Sequence, residues 1–186
     1  VMGATWTNAA GNKADGSAYM GRKSQRKVVV TALQSAFVAN DEIRAESRYF
    51  NLIACPSYPE CFDEMIALNT AKKETAFIIL DAPFRLKTAS EVSSWMANSN
   101  NTTENGEDGL VSASTYAGVY YPSALTTDLA GNNVVVPASH IALRTIAYND
   151  QVAYPWFAPA GFTRGLVGNS ASVGYITSEG EFQAVT

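Results

Sequence analysis

The sequence has few of the residues that build metal and catalytic centres. It contains one histidine, His140, and two cysteines, Cys55 and Cys61, among 186 residues. Two cysteines six positions apart, without histidine help, do not make the ligand set of a zinc site. We expect no metal and no cofactor. We interpret both cysteines as reduced, partly buried thiols, with a disulfide across the intervening turn as the less favoured alternative.

Positive charge and long apolar runs are also scarce. The chain has 13 Lys and Arg against 17 Asp and Glu, a net charge of −4, which argues against a surface that neutralises nucleic-acid phosphates or anionic lipid. No apolar run approaches the roughly 20 residues of a membrane helix, and no signal peptide is visible. The sequence therefore predicts no nucleic-acid partner and no membrane insertion.

Two short apolar runs suggest a parallel sheet. They are YFNLIAC (residues 49–55), which stops at Pro56, and TAFIILD (residues 75–81), which stops before Pro83. Strands covered on both faces have this composition. A helix opened by Ser57 and Pro59 joins them into a βαβ unit, and TYAGVYY (residues 115–121) provides a third strand. The predicted fold class is α/β, with a mainly parallel sheet and helices packed on it.

Helix starts and buried stripes complete this prediction. Ser24 and Ser139 are predicted N-caps, and Thr88–Glu91 fits a capping box. Mainly apolar residues at helical spacing predict these buried stripes: Val29, Leu33, Ala36, Phe37 and Asn40; Phe62, Met65, Ile66 and Asn69; Val92, Trp95 and Met96; Ile141, Ala142, Thr145 and Ile146.

The chain divides into three parts by composition. Residues 1–22 are an irregular or β-like lead-in, which we interpret as the remnant of another domain; residues 23–168 form the core; residues 169–186 predict a β-hairpin that turns at Glu179-Gly180. Residues 97–109 are the most polar stretch and predict an exposed loop. Because the chain opens with Val1-Met2, we expect a fragment or a processed product.

Two residues are candidates for catalysis. Asp81 ends the second strand, where α/β enzymes place catalytic or metal-binding carboxylates, and His140 is the single histidine. The favoured interpretation is structural for both: Asp81 accepts backbone hydrogen bonds at the strand end, and His140 is a surface or packing residue. Ser139 and His140 are adjacent on a helix and do not face each other, and neither a G-x-S-x-G elbow nor a phosphate-binding loop is present.

The remaining candidates also have structural interpretations. Gly161, Gly165 and Gly168 serve turns and close packing, and the acidic pairs Asp63/Glu64 and Glu107/Asp108 are solvated charge. Aromatic side chains of the C-terminal half predict core packing or a protein–protein contact rather than a base-stacking or sugar platform, because prolines rather than Lys and Arg separate them. They are Tyr120, Tyr121, Tyr148, Tyr154, Trp156 and Phe157.

The order of the motifs resembles one protein family. VVVTALQSAF, FNLIACPS and FIILDAP are followed by YAGVYYP, VVVPASH, PWFAPAG and GLVG. Over residues 28–168 this ordered set is similar to the C-terminal core of contractile tail sheath proteins, from bacteriophages and related injection machines. The resemblance implies a non-enzymatic, cofactor-free subunit of the virion tail, made in the host cytoplasm. Its copies would stack as hexameric rings around a tail tube protein, end at a baseplate, and contract to drive the tube through the host envelope.

The resemblance also sets expectations for this particular chain. It lacks a recognisable N-terminal arm and stops at Thr186, so we expect a truncated core that is a monomer in isolation. Residues that contact other subunits are not assigned. The exposed charges considered for such contacts are Arg44, Glu46, Arg48, Lys72, Lys73 and Arg164. Two alternatives stay open: an α/β hydrolase or transferase with a site near Asp81 and His140, and a binding module that uses the Tyr- and Trp-rich C-terminal half.

Overall fold

Three apolar runs form one parallel sheet. β1 (Leu52–Ala54) and β3 (Ala117–Tyr120) flank β2 (Phe77–Asp81). Ile53 pairs with Ile78 on one side of β2, and Gly118 pairs with Ile79 on the other. Parallel neighbours require a crossover connection, and the helix between β1 and β2 provides it. The predicted α/β class, with helices packed on a parallel sheet, is confirmed.

The computed structural model describes residues 22–98, 109–168, 170–177 and 181–185. Three sequence predictions therefore lie mostly or wholly outside the described residues: the lead-in before residue 22, the tip of the polar loop 97–109 with Glu107/Asp108, and the turn at Glu179-Gly180.

The described part of the chain contains six α-helices. A 3-10 turn at Pro59–Cys61 runs directly into the third of them. The helices are α1 (Arg22–Ala39), α2 (Asp41–Arg44), α3 (Phe62–Ala71), α4 (Ala89–Met96), α5 (Ala138–Val152) and α6 (Gly161–Arg164).

Two details predicted for α1 are wrong. The helix begins at Arg22, so Ser24 lies inside it and is not its N-cap. Val30 is buried at 4% exposure, whereas the predicted Val29 is 42% exposed. α1 packs on α3 and on the 3-10 turn, and Phe37 packs against the core. Leu33 and Phe37 are partly buried as predicted, whereas Val30 takes the place of Val29, and the predicted Ala36 and Asn40 are exposed.

Two other buried stripes also differ slightly from their predictions. In α3 Leu68 is buried with Phe62, Met65 and Asn69, whereas Ile66 is only partly buried. Asn69 donates to the Ala76 carbonyl at 2.8 Å and accepts from the Ala76 N–H at 3.0 Å, which joins the end of α3 to the start of β2. These two bonds satisfy a side-chain amide that is almost entirely out of water.

The predicted cap of α4 is confirmed, but one of its predicted core residues is not buried. The Thr88 hydroxyl accepts from the Glu91 N–H, and Val92 and Trp95 are buried. Met96 is 47% exposed. The helix ends at Met96, so this side chain lies at the margin of the buried face and not within it.

A second sheet, which is antiparallel, follows the first along the chain. Its strand order is β5 (Asn133–Val136), β4 (Ser123–Thr127), β6 (Ser172–Ile176) and β7 (Phe182–Ala184). The predicted C-terminal hairpin is confirmed as β6 and β7. β4 was not predicted, because SALTT is short and lacks an apolar run. The Tyr121-Pro122 bond between β3 and β4 is cis.

β2 contributes to both sides of the parallel sheet. Ile78 and Leu80 belong to the main core, together with Met65 and Trp95. Side chains alternate along a strand, so Ile79 and Asp81 point to the opposite face, where α5 packs on β2 and β3. Ile79 is fully buried there. Burial of both faces explains why this strand is apolar almost throughout.

Candidate functional site

Asp81 joins three elements at the carboxyl end of β2. The residue is 3% exposed. It accepts hydrogen bonds from the Ser57 backbone N–H at 2.8 Å, from the Ser139 backbone N–H at 2.5 Å and from the Ser139 hydroxyl at 2.7 Å. The predicted role of Asp81, a carboxylate that accepts backbone hydrogen bonds at the strand end, is confirmed. The donors, however, lie on the turn after β1 and on α5.

Ser139 was predicted to cap its helix with its own side chain, and this prediction is wrong. α5 begins at Ala138, with Pro137 as the N-cap residue and no side-chain cap bond. Ser139 is therefore the second helical residue, and its N–H has no acceptor within the helix. Asp81 provides the acceptor from another element, and its negative charge also complements the positive end of the helix dipole.

His140 does not share a site with Asp81. His140 is exposed, while the described contacts of the Asp81 carboxylate are with Ser57 and Ser139. Adjacent residues on a helix point in different directions, so burial of Ser139 against Asp81 turns His140 away. The geometry does not bring together the two residues of the hydrolase or transferase alternative.

The two cysteines lie close to each other, Cys55 directly after β1 and Cys61 at the end of the 3-10 turn. Cys61 is fully buried, Cys55 is partly buried, both are free, and their thiols share a hydrogen bond. Burial raises the pKa of both thiols, and burial together with the neighbouring Cys55 raises the pKa of Cys61 to about 12. The nucleophilic form of cysteine is the thiolate. Both side chains are therefore protonated and unreactive near neutral pH.

This thiol predicts a pH dependence of stability. An unfolded chain loses the Cys61 proton near the usual pKa of 9.0, whereas the folded chain keeps it up to about 12. The folded state therefore binds more protons in that window, and the free energy of unfolding should fall as the pH rises through it. Urea denaturation at about pH 8 and about pH 10.5 measures the fall. Cys61→Ala should make the fall smaller, and an unchanged fall in that variant would contradict the assignment.

An exposed apolar surface covers the end of α5 and the segment that follows it. We call it the aromatic surface. All of its residues are at least 41% exposed, and Trp156 and Phe162 reach 74% and 92%. Its residues are Tyr148, Val152, Tyr154, Trp156, Phe157, Phe162, Leu166 and Val167.

The aromatic surface is ordered by its own contacts. Tyr154 stacks on Trp156, with ring centroids 4.8 Å apart and an interplanar angle of 5°, and Phe157 lies edge-on to both rings. The buried Asn149 donates from its amide to the Phe157 carbonyl at 2.8 Å, and the Arg164 guanidinium lies 4.7 Å from the centre of the Phe157 ring. Rings held in this way lose little conformational freedom when a partner covers them.

Three glycines shape the segment that carries these rings. Gly161 has a φ of +79°, which disfavours other residues. A side chain at Gly165 would meet the backbone of Ala160 at 2.7 Å, and one at Gly168 would meet the Arg144 guanidinium at the same distance. The predicted role of these glycines in turns and close packing is confirmed.

An apolar cavity of about 310 Å³ opens beside the aromatic surface. Residues from four separate sequence motifs line it: Tyr120, Tyr121 and Pro122 from YYP, Ala138 from VVVPASH, Pro159 from PWFAPAG, and Val167 from GLVG. The inward side of α5, with Ile141, Ala142, Thr145 and Ile146, forms one wall. The motifs that are spread over about 50 residues of sequence therefore meet around a single cavity.

Several of the charged residues considered for subunit contacts bind their own chain instead. Arg44 donates to the Phe37 carbonyl at 2.8 Å, and Lys72 donates to the carbonyls of Ala45 and Arg48.

Within residues 22–98 and the later described ranges, no group of three or more His, Cys, Asp or Glu side chains is placed to hold a metal ion. None of the helices in those ranges has both the length and the apolar character needed to cross a membrane.

Part of this site could be recognised from the sequence. The aromatic residues and the α5 stripe were identified there, but the cavity they enclose with Pro159 and Val167 was not. Comparisons of the sequence with known protein families and with curated proteins find no match.

Proposed function

We propose that this chain is a structural subunit of a contractile tail sheath, whose work is done through contacts with other copies of itself. One observation carries the proposal. The YYP, VVVPASH, PWFAPAG and GLVG motifs, whose order resembles that of the sheath core, meet at one cavity with an exposed aromatic surface beside it. None of these motifs presents a reacting group there. The residues that these motifs contribute to the cavity are mainly apolar, as are residues at the centre of a protein–protein interface.

The size of the aromatic surface supports a protein partner. Its eight residues are each at least 41% exposed and together present on the order of 1,000 Å² to solvent, compared with about 800 Å² per partner in a standard interface. Tyr and Trp are also enriched in such interfaces. A surface of this size suits a subunit that is covered in an assembly.

The core supports motion of the subunit as one rigid body. Both faces of β2 are buried, and Asp81 fastens the β1 turn and α5 to the end of that strand. A contractile lattice exchanges contacts between rigid units and does not need to deform each unit. In this proposal the copies form hexameric rings around a tail tube protein above a baseplate in the virion, and contraction drives the tube through the host envelope.

Electron microscopy of the full-length gene product tests the proposal. We expect hollow tubes built from repeated rings, because sheath subunits polymerise around a common axis. Purified protein at several concentrations, with and without its tube protein, should be imaged after negative staining. A preparation that contains only discrete particles under all these conditions would refute the proposal.

The stacked pair Tyr154 and Trp156 supports a second candidate, a carbohydrate-binding module. Exposed aromatic rings also bind the apolar faces of sugars. Titration of this chain with mono- and oligosaccharides, followed by tryptophan fluorescence, separates the candidates. Saturable quenching that disappears in Trp156→Ala would favour carbohydrate binding, whereas a sheath subunit should show no response.

A further inference from the structure

The hairpin between β4 and β5 presents one apolar side chain entirely to water. Leu129 is fully exposed. Its neighbour Asp128 holds the turn, accepting from the backbone N–H groups of Ala130 and Asn132 at 2.8 Å each and from the Asn132 side chain at 3.1 Å. The Asp128 N–H in turn donates to the Asn132 carbonyl at 2.9 Å. Leu129 is thus a knob on a turn that is already ordered.

The cavity described above has the size and chemistry to accept such a knob. Its walls are mainly apolar, and its volume is about 310 Å³. An engineered apolar cavity of about 150 Å³ already holds benzene, so a branched aliphatic side chain fits without rearrangement. The aromatic surface beside the cavity provides the additional area that a single leucine lacks.

The charges at the two places are opposite in sign. Hydrogen bonds from the Asn132 side chain and backbone lower the pKa of Asp128, so the carboxylate beside Leu129 is ionised at neutral pH. The Arg144 guanidinium donates to the carbonyl of Gly168 at 2.6 Å, and Gly168 directly follows the cavity residue Val167. An acidic turn and a basic rim favour one relative orientation of the two.

Leu129 does not occupy the cavity of its own chain. Its full exposure shows that it packs against nothing. Of the β4 residues, only Ala124, near the start of the strand, lines the cavity. At about 3.3 Å per residue, Thr127 is already about 10 Å from Ala124, and Leu129 lies beyond it. The knob and the cavity are therefore two different places on one molecule.

We propose that Leu129 of one copy enters the cavity of a second copy, with the aromatic surface packing around the inserted hairpin. This inference rests on the proposed function, because it specifies one contact by which the copies associate. A knob and a cavity at different places make a heterologous contact, which repeats from copy to copy and produces a ring or an open helical chain. A closed two-fold dimer would instead place the same surface on both partners.

Sedimentation velocity of this chain at increasing concentration tests the contact. We expect a monomer at low micromolar concentration, because one such contact is weak, and a rising average mass as the concentration approaches the millimolar range. Leu129→Asp should lower the association constant at least about tenfold, since it brings a charge into an apolar cavity. Val111→Asp is the matched control, because Val111 is 84% exposed and lies outside the hairpin. Its association should stay within about twofold of the original chain.

Mixing two defective variants tests the pairing directly. Val167→Trp narrows the cavity from its rim at a residue that is 49% exposed, so the fold should tolerate it. Val173→Asp, on β6, is a second cavity variant. The Leu129→Asp variant lacks the inserting leucine but has an intact cavity, and each cavity variant has an altered cavity but an intact Leu129. Each protein alone should stay monomeric, whereas an equimolar mixture should form one-to-one dimers that grow no further. A mixture that stays monomeric with both cavity variants would overturn the proposal.

Failure of this contact can be distinguished from failure of the proposed function. If the full-length product forms tubes and Leu129→Asp forms them equally well, the knob contact is wrong and the sheath proposal stands. If the full-length product forms no tubes and this chain stays monomeric at every concentration, both fail. A chain that stays monomeric while its cavity binds benzene would assign the cavity to a small apolar ligand, and it would overturn the knob contact.

Discussion

Replacing Asp81 by alanine should lower the free energy of unfolding by about 3–5 kcal/mol. The substitution removes the acceptor of three hydrogen bonds, from the Ser57 N–H and from the N–H and hydroxyl of Ser139. Each buried donor left without an acceptor costs about 1–3 kcal/mol. Ser139 is fully buried, so water does not easily replace the carboxylate. Urea denaturation followed by far-UV circular dichroism measures the loss.

Two further variants make this result specific. Asp63→Ala removes an exposed carboxylate from the first turn of α3 and should change stability by less than about 0.5 kcal/mol. In the double variant Asp81→Ala/Ser139→Ala the two losses should be less than additive, because the second substitution removes a donor that the first left unpaired. If Asp81→Ala behaved like Asp63→Ala, Asp81 would not be the structural junction of the fold, and the catalytic alternative would regain support.

Replacing Trp95 by alanine should cost a similar amount, about 3–5 kcal/mol. Trp95 is 2% exposed and belongs to the core cluster that contains Met65, Leu80 and Val92. Its removal leaves a cavity that the parallel sheet and α3 cannot close, and the lost apolar contacts and the void both destabilise the fold. The same urea experiment measures the effect.

Trp156→Ala is the matched control for this core substitution. Trp156 is 74% exposed and packs mainly on Tyr154 and Phe157, so its loss should change the stability of the isolated chain by less than about 1 kcal/mol. The same variant should weaken association between copies. If Trp156→Ala destabilised the fold as strongly as Trp95→Ala, the aromatic surface would be part of the core, and the interface proposal would lose its main support.

The parallel sheet could be predicted from the sequence because its central strand, β2, is buried on both faces. This burial makes FIILD apolar at nearly every position, FNLIAC is also mostly apolar, and this signal is local. The capping box at Thr88 is equally local, since the hydroxyl and the N–H that it binds are three residues apart. In α1, Val29 was predicted to be buried where Val30 is, because the buried side of this helix depends on where α3 lies.

The second sheet shows where local signals end. β6 and β7 form a hairpin whose alternating pattern could be recognised, whereas β4 consists of SALTT and lacks an apolar run. β4 is a strand because it pairs with β5 on one side and β6 on the other. The pairing with β6 brings together segments about 50 residues apart, and nothing within the five residues themselves encodes it.

By itself, the sequence determined the α/β class, the order of the motifs, and an excess of aromatic residues in the C-terminal half, because composition and periodicity are properties of neighbouring residues. Only the tertiary structure decided that Asp81 binds Ser57 and Ser139, that His140 points away from Asp81, and that four motifs enclose one cavity. It also decided that Leu129 is left in water while a cavity remains open elsewhere on the same chain. These facts depend on distances between segments far apart in sequence, and such distances are set by how the sheets and helices pack.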